Sequence, residues 1–320
     1  MPISRPLGST GLSVAPLIVG GNIFGWTADE TTSFAVLDAW IAGGATMIDT
    51  ADVYSAWYPG HVGGESETIL GRWMKARGNR AHVQIATKVG LLPTKAGAKG
   101  LSPAVIAEQV EASLARLQTD YIDLYYAHKD DPDTPQEAVA EAFDALVRAG
   151  KVRALGASNF TPERLLSALA ISDAQGLAGY GAVQPNFSLM AEDAFPEPYR
   201  RLCIERNIGA LPYHALASGF LTGKYRSVEE ARLGSRGHAT AGHFNPRGEK
   251  VLATLGQVAA ETGASLAQIA LAWIIATPGV TGPIASATSV TQVESLLPSM
   301  ELVLSGPQMA ALNAAAATPV

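Results

Sequence analysis

Short runs of apolar and β-branched residues alternate with longer amphipathic segments along nearly the whole chain. A brief apolar run between turn formers reads as a buried strand, and apolar positions three or four apart read as one face of a helix. Eight runs fit the strand pattern: LIVGG (17–21), TMID (46–49), VQIATK (83–88), IDLYYAH (122–128), VRALGAS (152–158), GAVQ (181–184), IGALPY (208–213) and TGPIASA (281–287). Several of the helices between them announce where they start. Ser102-Pro103, Thr134-Pro135 and Thr161-Pro162 each set a capping hydroxyl before a proline whose fixed φ suits the first helical position. Gly150 supplies a C-terminal stop.

Strands that each lead into a helix, with no long Pro/Ser/Gly linker between units, fit a single (β/α)8 TIM barrel over residues 1–320 better than a doubly wound sheet. The doubly wound fold also lacks its phosphate fingerprint: GGNIFG after the first strand has the wrong spacing, and GYGAVQ (179–184) lacks a third glycine. Residues 224–250, KYRSVEEARLGSRGHATAGHFNPRGEK, break the rhythm and read as a long polar, basic loop after the seventh strand.

Composition narrows the class of partner. With 48% hydrophobic and 16% charged residues the chain has ample material for a core, which argues against disorder. A net charge of −6 offers no broad basic field for nucleic acid or anionic lipid, so a small molecule is the expected partner. The lone Cys203, in RRLCIERN, cannot form an internal disulfide and reads as a buried helix thiol in a reducing compartment. The N-terminal stretch has no secretory apolar core, and no apolar run approaches the ~18 residues of a membrane helix. A cytoplasmic location follows as the expectation; oligomeric state is not legible.

In such barrels the chemistry sits where strands end on the C-terminal face. Strand two ends on Asp49 with Tyr54 just beyond it, strand three on Lys88, strand four on His128, strand five on Ser158 and Asn159, strand six on Gln184, and strand seven on Tyr213. Taken singly, each has a bland explanation as a cap, a packing residue or a satisfied core histidine. Taken together they are harder to dismiss. An apolar strand that runs into lysine needs a counterion, because an unpaired buried charge is costly, and Asp49 on the neighbouring strand can supply one. A lysine against a phenol is expected to lower the tyrosine pKa from ~10 toward the working range, making Tyr54 a proton donor to a developing alkoxide. His128 can hold a substrate carbonyl beneath it. No side chain can supply hydride, so a nicotinamide cofactor is required.

At this point the residues resemble the aldo-keto reductases from residue 1 to about residue 300. The motifs are RPLGSTGLSVAPL, IDTADVYS with GGESETILGRWM, IATKVG, DLYYAHKDDPDTP, GASNF, VQPNFSLM and LPYHALASGFLTGKY, in the family's order. The resemblance implies an N-terminal β-hairpin and a catalytic tetrad of Asp49, Tyr54, Lys88 and His128. It also implies that Asn22 contacts the cofactor along with Asp49, that Ser158, Asn159 and Gln184 hold the nicotinamide carboxamide, and that Tyr213 stacks on its ring. Leu216, Ser218, Gly219 and Lys224 are then expected to cradle the pyrophosphate.

ASATSVTQVESLL (285–297) resembles the family's last cofactor segment, with Ser286, Thr288 and Gln292 in place, but Ser295-Leu296 stands where many members carry Glu-Asn. No lysine or arginine follows Lys250, so a clamp for a 2′-phosphate must come from Arg226, Arg232 or Arg236. NADPH is the expected cofactor, with NADH the alternative. Ile23, Phe24, Trp26, Trp57 and Tyr58 are candidate walls of an apolar or sugar-stacking substrate pocket.

Other chemistries fit less well. A glycosidase wants two carboxylates at strand ends. A metal site wants clustered ligands, and no H-x-H or H-E-x-x-H is present, so none is expected. The family also includes potassium-channel β-subunits, which makes a cofactor-binding regulatory subunit the alternative to an enzyme acting on a small carbonyl or sugar.

Overall fold

Glycine, proline and capping residues cut the chain into the units expected of a (β/α)8 barrel. The computed structural model describes residues 3–317; of the expected span 1–320, residues 1, 2 and 318–320 lie outside the described residues. Eight strands form one sheet: β1 (Ile18–Gly20), β2 (Met47–Asp49), β3 (Gln84–Val89), β4 (Ile122–Ala127), β5 (Val152–Ser158), β6 (Tyr180–Gln184), β7 (Gly209–Ala210) and β8 (Ile284–Ala285). They lie in the order β8-β1-β2-β3-β4-β5-β6-β7, and every neighbouring pair is parallel. At the seam, Thr281 N–H donates to the Ala210 carbonyl at 2.9 Å and Ile284 N–H to the Pro212 carbonyl at 2.8 Å, which ties β8 to the segment following β7.

The strands are buried on both faces because they separate two cores. Met47, Ala86, Leu124, Tyr126, Ala154, Ala182 and Leu211 fill the barrel interior. Leu7 and Val14, from an antiparallel pair of short strands at Arg5–Pro6 and Ser13–Val14, close its floor, giving the expected hairpin. Gly156 makes room for the large Tyr126, since a Cβ there would stand 2.3 Å from the ring. The alternate strand positions, among them Ile48, Ile85, Val89 and Tyr125, face the surrounding helices.

The first six helices are α1 (Glu30–Ala42), α2 (Glu65–Arg77), α3 (Pro103–Leu117), α4 (Gln136–Arg148), α5 (Pro162–Gln175) and α6 (Glu197–Glu205). Two of the three expected caps form: Ser102 accepts from Val105 N–H and Thr161 from Arg164 N–H. Thr134 does not cap α4, because its hydroxyl donates to Asp131 Oδ2 at 2.8 Å and Pro135 takes the capping position. Gly150 ends α4 with φ +71°. Cys203 is buried in α6 as expected.

Two expectations need correction. IGALPY was expected to be a strand from 208 to 213, yet β7 holds only two residues; Leu211 and Tyr213 N–H still donate to the Val183 and Pro185 carbonyls, while Pro212 has no N–H to offer on the β8 side. Tyr213 therefore lies past the strand, in an isolated bridge with Asn186. Nor is 224–250 an irregular loop. Ser227 caps a short helix α7 (Val228–Arg232), α8 (Gly237–Ala241) follows, and Asn245-Pro246 opens α9 (Pro246–Thr262) by the same cap-and-proline device seen earlier. Helices α10 (Leu266–Ala276), α11 (Val290–Leu296) and α12 (Gly306–Ala316) complete the order. Among the described residues no single helix is long and apolar enough to cross a membrane.

Candidate active site

Parallel pairing in register carries the ends of β2 and β3 to the same rim, with Asp49 opposite Ala86. Lys88 is fully buried there, and its three ammonium protons go to Asp49 Oδ2 at 2.7 Å, the Thr50 carbonyl at 2.7 Å and the Tyr54 hydroxyl at 2.9 Å. Asp49 Oδ1 accepts from Gln184 Nε2 at 2.7 Å, and Tyr54 donates to Asp49 Oδ2 at 3.3 Å. His128 follows β4, its ring centroid 6.3 Å from that of Tyr54. The four expected groups thus meet at one place.

The loop that presents Tyr54 is pinned by buried hydroxyls. Ser55 sits in the left-handed region at φ +75° and donates to the Phe24 carbonyl at 3.0 Å. Ser66 donates to the Gly21 carbonyl at 2.8 Å and shares a 2.8 Å hydrogen bond with Thr50. These bonds stitch the loops after β1 and β2 to the start of α2.

Electrostatics at the site depart from the simple expectation of an acidified phenol. Burial, reinforced by the Asp49 carboxylate, pushes the Tyr54 phenol well above its ordinary range, while Arg236 opposes the rise. Burial lowers Lys88, against Asp49, Asp52 and Glu67, which favour its ammonium form. The phenol is therefore protonated at rest, as a donor must be. His128 is held down at about 3 by burial and by Lys88, so its imidazole is neutral, and its Nδ1 is buried without a hydrogen-bond partner.

The residues expected around a nicotinamide join this cluster. Ser158 Oγ donates to the Gln184 carbonyl at 3.0 Å. Asn159, at φ +56°, donates to the His128 carbonyl at 2.9 Å and accepts from the Tyr213 hydroxyl at 2.8 Å. A cavity of about 140 Å³ touches Asn159, Gln184 and Asn186, but the rest of its lining, with Ala157, Phe160, Val183 and Tyr199, belongs to the core between sheet and helices, so it lies behind the strand ends and not in the barrel mouth. The side-chain amides of Asn159 and Gln184, each donor and acceptor together, are what a primary amide in the mouth could meet. Further along, Ala217, Ser218 and Gly219 take φ of +47°, +57° and +93° in succession, which bends the main chain into a concave turn after Leu216. Lys224 Nζ lies 3.7 Å from where a Gly219 Cβ would be. A left-handed turn backed by an ammonium group is suited to phosphate oxygens. The residues present fit a dinucleotide.

The three candidate arginines separate. Arg236 reaches over the mouth, donating to Asn22 Oδ1 at 3.1 Å, with its guanidinium carbon 5.5 Å from the Trp26 ring centroid. Asn22 also accepts from Ser286 Oγ at 2.9 Å. Arg226 and Arg232 are exposed. Thr288 donates through both its N–H and its hydroxyl to Gln292 Oε1, at 2.8 and 3.1 Å. Of the expected pocket walls, Trp26 and Trp57 meet edge to face at 5.5 Å, Trp57 approaches Tyr54 at 6.0 Å, and Tyr58 is exposed beside them. Ile23 and Phe24 instead pack in the core between sheet and helices, Phe24 with no exposure at all.

Sequence reasoning missed a charged layer just behind the tetrad: Asp52, Glu67 and Arg116. Glu67 is fully buried and accepts from Thr87 Oγ1 at 2.6 Å and from Arg116 Nε at 2.6 Å. The legible signal was in α3, where Gln109, Ser113 and Arg116 recur at helical spacing along an otherwise apolar side.

Comparison with known proteins is consistent along the chain. The model of the Aldo/keto reductase family matches residues 16–317. An uncharacterized oxidoreductase of Bacillus subtilis, YrpG, is 34% identical over 316 residues, covering 96% of this chain and 94% of that protein. The aldo-keto reductase YhdN of the same organism is 34% identical over 285 residues, covering 87% and 81%. A probable voltage-gated potassium channel subunit beta of Arabidopsis thaliana is 28% identical over 306 residues, covering 93% and 91%.

Proposed function

This chain belongs to the aldo/keto reductase family, and from that premise we propose that it is an NAD(P)H-dependent oxidoreductase of aldehydes or ketones, or of the corresponding alcohols or sugars. Tyr54 is its general acid and base, assisted by Lys88, Asp49 and His128. The observation that carries this reading is the buried Lys88 ammonium, bonded at once to Asp49 and to the Tyr54 hydroxyl, with neutral His128 alongside.

Each side chain then has a task. His128, neutral even in mild acid, donates a hydrogen bond to the substrate carbonyl and holds it against the phenol. Tyr54 gives up its proton as negative charge develops on the carbonyl oxygen. Lys88 stabilises the phenolate left behind, because its ammonium is fixed at 2.9 Å and needs no reorganisation. Asp49 keeps that ammonium charged and aimed, and Gln184 keeps Asp49 aimed. When bound, the nicotinamide cofactor supplies the hydride that these residues cannot.

Asn22, Ser158, Asn159, Gln184 and Tyr213 would hold its nicotinamide end, and Leu216, Ser218, Gly219, Lys224 and Arg236 its phosphates. Thr288 and Gln292 are assigned to its adenine end, with Ser286 bonded to Asn22 at 2.9 Å. NADPH is the proposed form, with exposed Arg226 and Arg232 available to a 2′-phosphate. Trp26, Trp57 and Tyr58 offer substrate a stacking face beside the proton donor.

Tyr54→Phe tests the assignment. It should cost at least ~10² in turnover across an aldehyde panel while tryptophan quenching by cofactor is retained. Turnover that persists in the variant sinks the proton-donor role. The similarity to a potassium-channel β-subunit supports a second reading, a cofactor-binding regulatory subunit. Cofactor quenching of the unsubstituted protein with no turnover of any carbonyl in the panel would favour it.

A further inference from the structure

Residues of a strand alternate sides, so Lys88 and its neighbour Thr87 look in opposite directions from β3, and Tyr126 and Tyr125 do the same from β4. Lys88 faces the tetrad. Thr87 faces the helices, where it meets Glu67 of α2, itself paired with Arg116 of α3 at 2.6 Å. Asp52 completes this outer layer, joined to β3 through its backbone N–H, which donates to the Lys88 carbonyl at 3.3 Å.

The buried charges can be matched. Asp49 answers Lys88, and Glu67 answers Arg116. Asp52 answers nothing. It has no exposure, and neither carboxyl oxygen has a well-formed hydrogen bond. The groups facing it are Glu67 from α2, Arg116 from α3 and the equally unpartnered hydroxyl of Tyr125 from β4, and its charge is felt by Lys88 across β3. A carboxyl group left so exposed to its neighbours' fields, yet shut off from water, is expensive to keep for packing alone.

We propose that Asp52 is a positioning residue for proton delivery: the charge it carries or withholds across β3 sets how firmly Lys88 keeps its ammonium proton, and so how Tyr54 is served by it. The proposal rests on the reading of Tyr54 as proton donor. Protonated, Asp52 leaves the layer balanced. Ionised, it leaves one negative charge in excess, which favours the ammonium form of Lys88. Burial, and next the Glu67 carboxylate, raise the Asp52 carboxyl to about 7, while the Val53 and Leu92 backbone N–H groups and Arg116 pull the other way. The balance therefore tips near neutral pH.

The test combines the pH dependence of kcat and of cofactor affinity with a carbon-13 NMR titration of aspartate-labelled protein, for the unsubstituted chain, Asp52→Asn and Glu67→Gln. One carboxyl should titrate near 7 in the unsubstituted protein, vanish in Asp52→Asn and fall to lower pH in Glu67→Gln. The alkaline limb of kcat should move to lower pH by roughly one unit in Asp52→Asn, with cofactor affinity unchanged. A variant profile that superimposes on the original, or no labelled carboxyl titrating above about pH 5, overturns the proposal. Should Asp52→Asn fail to fold, Asp52→Ser carries the same two readouts, and an alkaline limb of kcat that stays in place in that variant overturns the proposal. The NMR titration needs no turnover, so it stands apart from the Tyr54→Phe result, which tests the proton donor itself.

Discussion

Replacing Lys88 by methionine keeps most of the side chain's length and removes its charge, which isolates what the ammonium contributes. The structure sets the scale. Lys88 and Asp49 have side chains 0% and 3% exposed, and Nζ lies 2.7 Å from Oδ2. At an effective dielectric of ~20, unit charges at that distance attract by about 6 kcal/mol. Desolvation of both ions takes back much of this, so the pair adds little over an apolar pair of the same shape. Deleting one partner is different, because it strands the other, at a typical cost of ~3–5 kcal/mol. In Lys88→Met the stranded group is Asp49, left with Gln184 and the Tyr54 hydroxyl as partners. The expected loss, at about 2–4 °C per kcal/mol, is a fall in Tm of order 10 °C. Adding Asn at position 49 removes the stranded charge while an amide can still meet Gln184, so Lys88→Met/Asp49→Asn should regain more than half of the loss. Turnover should not return with it, because the ammonium that serves Tyr54 is still missing. Circular-dichroism melts and an aldehyde assay on both singles and the double variant read the cycle. A Lys88→Met protein less than about 1 kcal/mol below the original, or a double variant no more stable than that single, would refute the account of a buried pair whose halves need each other.

Two further outcomes follow from the same site. His128 refuses a proton in the folded state until about pH 3, whereas the unfolded chain accepts one near 6.5, so its contribution to stability is complete above ~6.5 and is lost as pH falls toward 3. His128→Gln should flatten the fall of stability with acid in urea titrations between those limits, and an unchanged slope would show that the imidazole is not held neutral. Arg236→Ala, at the mouth beside Asn22 and Trp26, should weaken NADPH and NADH binding alike and reduce its salt dependence. Arg226→Ala or Arg232→Ala should weaken NADPH alone, and a loss confined to NADPH in Arg236→Ala would place the guanidinium at the 2′-phosphate instead.

What could be read from the sequence divides along a physical line. The strands and the convergence of Asp49, Tyr54, Lys88 and His128 were legible because a parallel barrel delivers every strand end to one rim, so knowing where apolar runs stop is enough to collect the polar groups. Failures began wherever an outcome depended on the neighbour across a gap. β7 is shorter than IGALPY looks, and Pro212, which faces β8, has no N–H to offer there, a lack that matters only once that neighbour is in place. Phe24 looked like a pocket wall and is core, because its ring packs between sheet and helices against residues distant in the sequence. The direction of the Tyr54 shift was misjudged for a related reason: Lys88 was weighed as the neighbour, whereas the water that burial removes counts for more than any single charge. Asp52 shows the same limit from the other side. In IDTADVYS it is one aspartate among polar loop residues, and nothing local marks it as buried. Only when α2 and α3 close over β3 does it become a buried carboxyl without an ion-pair partner whose charge is felt by Lys88. Strand alternation is what makes this arrangement workable: it puts Thr87 and Lys88 on opposite sides of one strand, so the reacting side can be tuned by charges that never meet substrate.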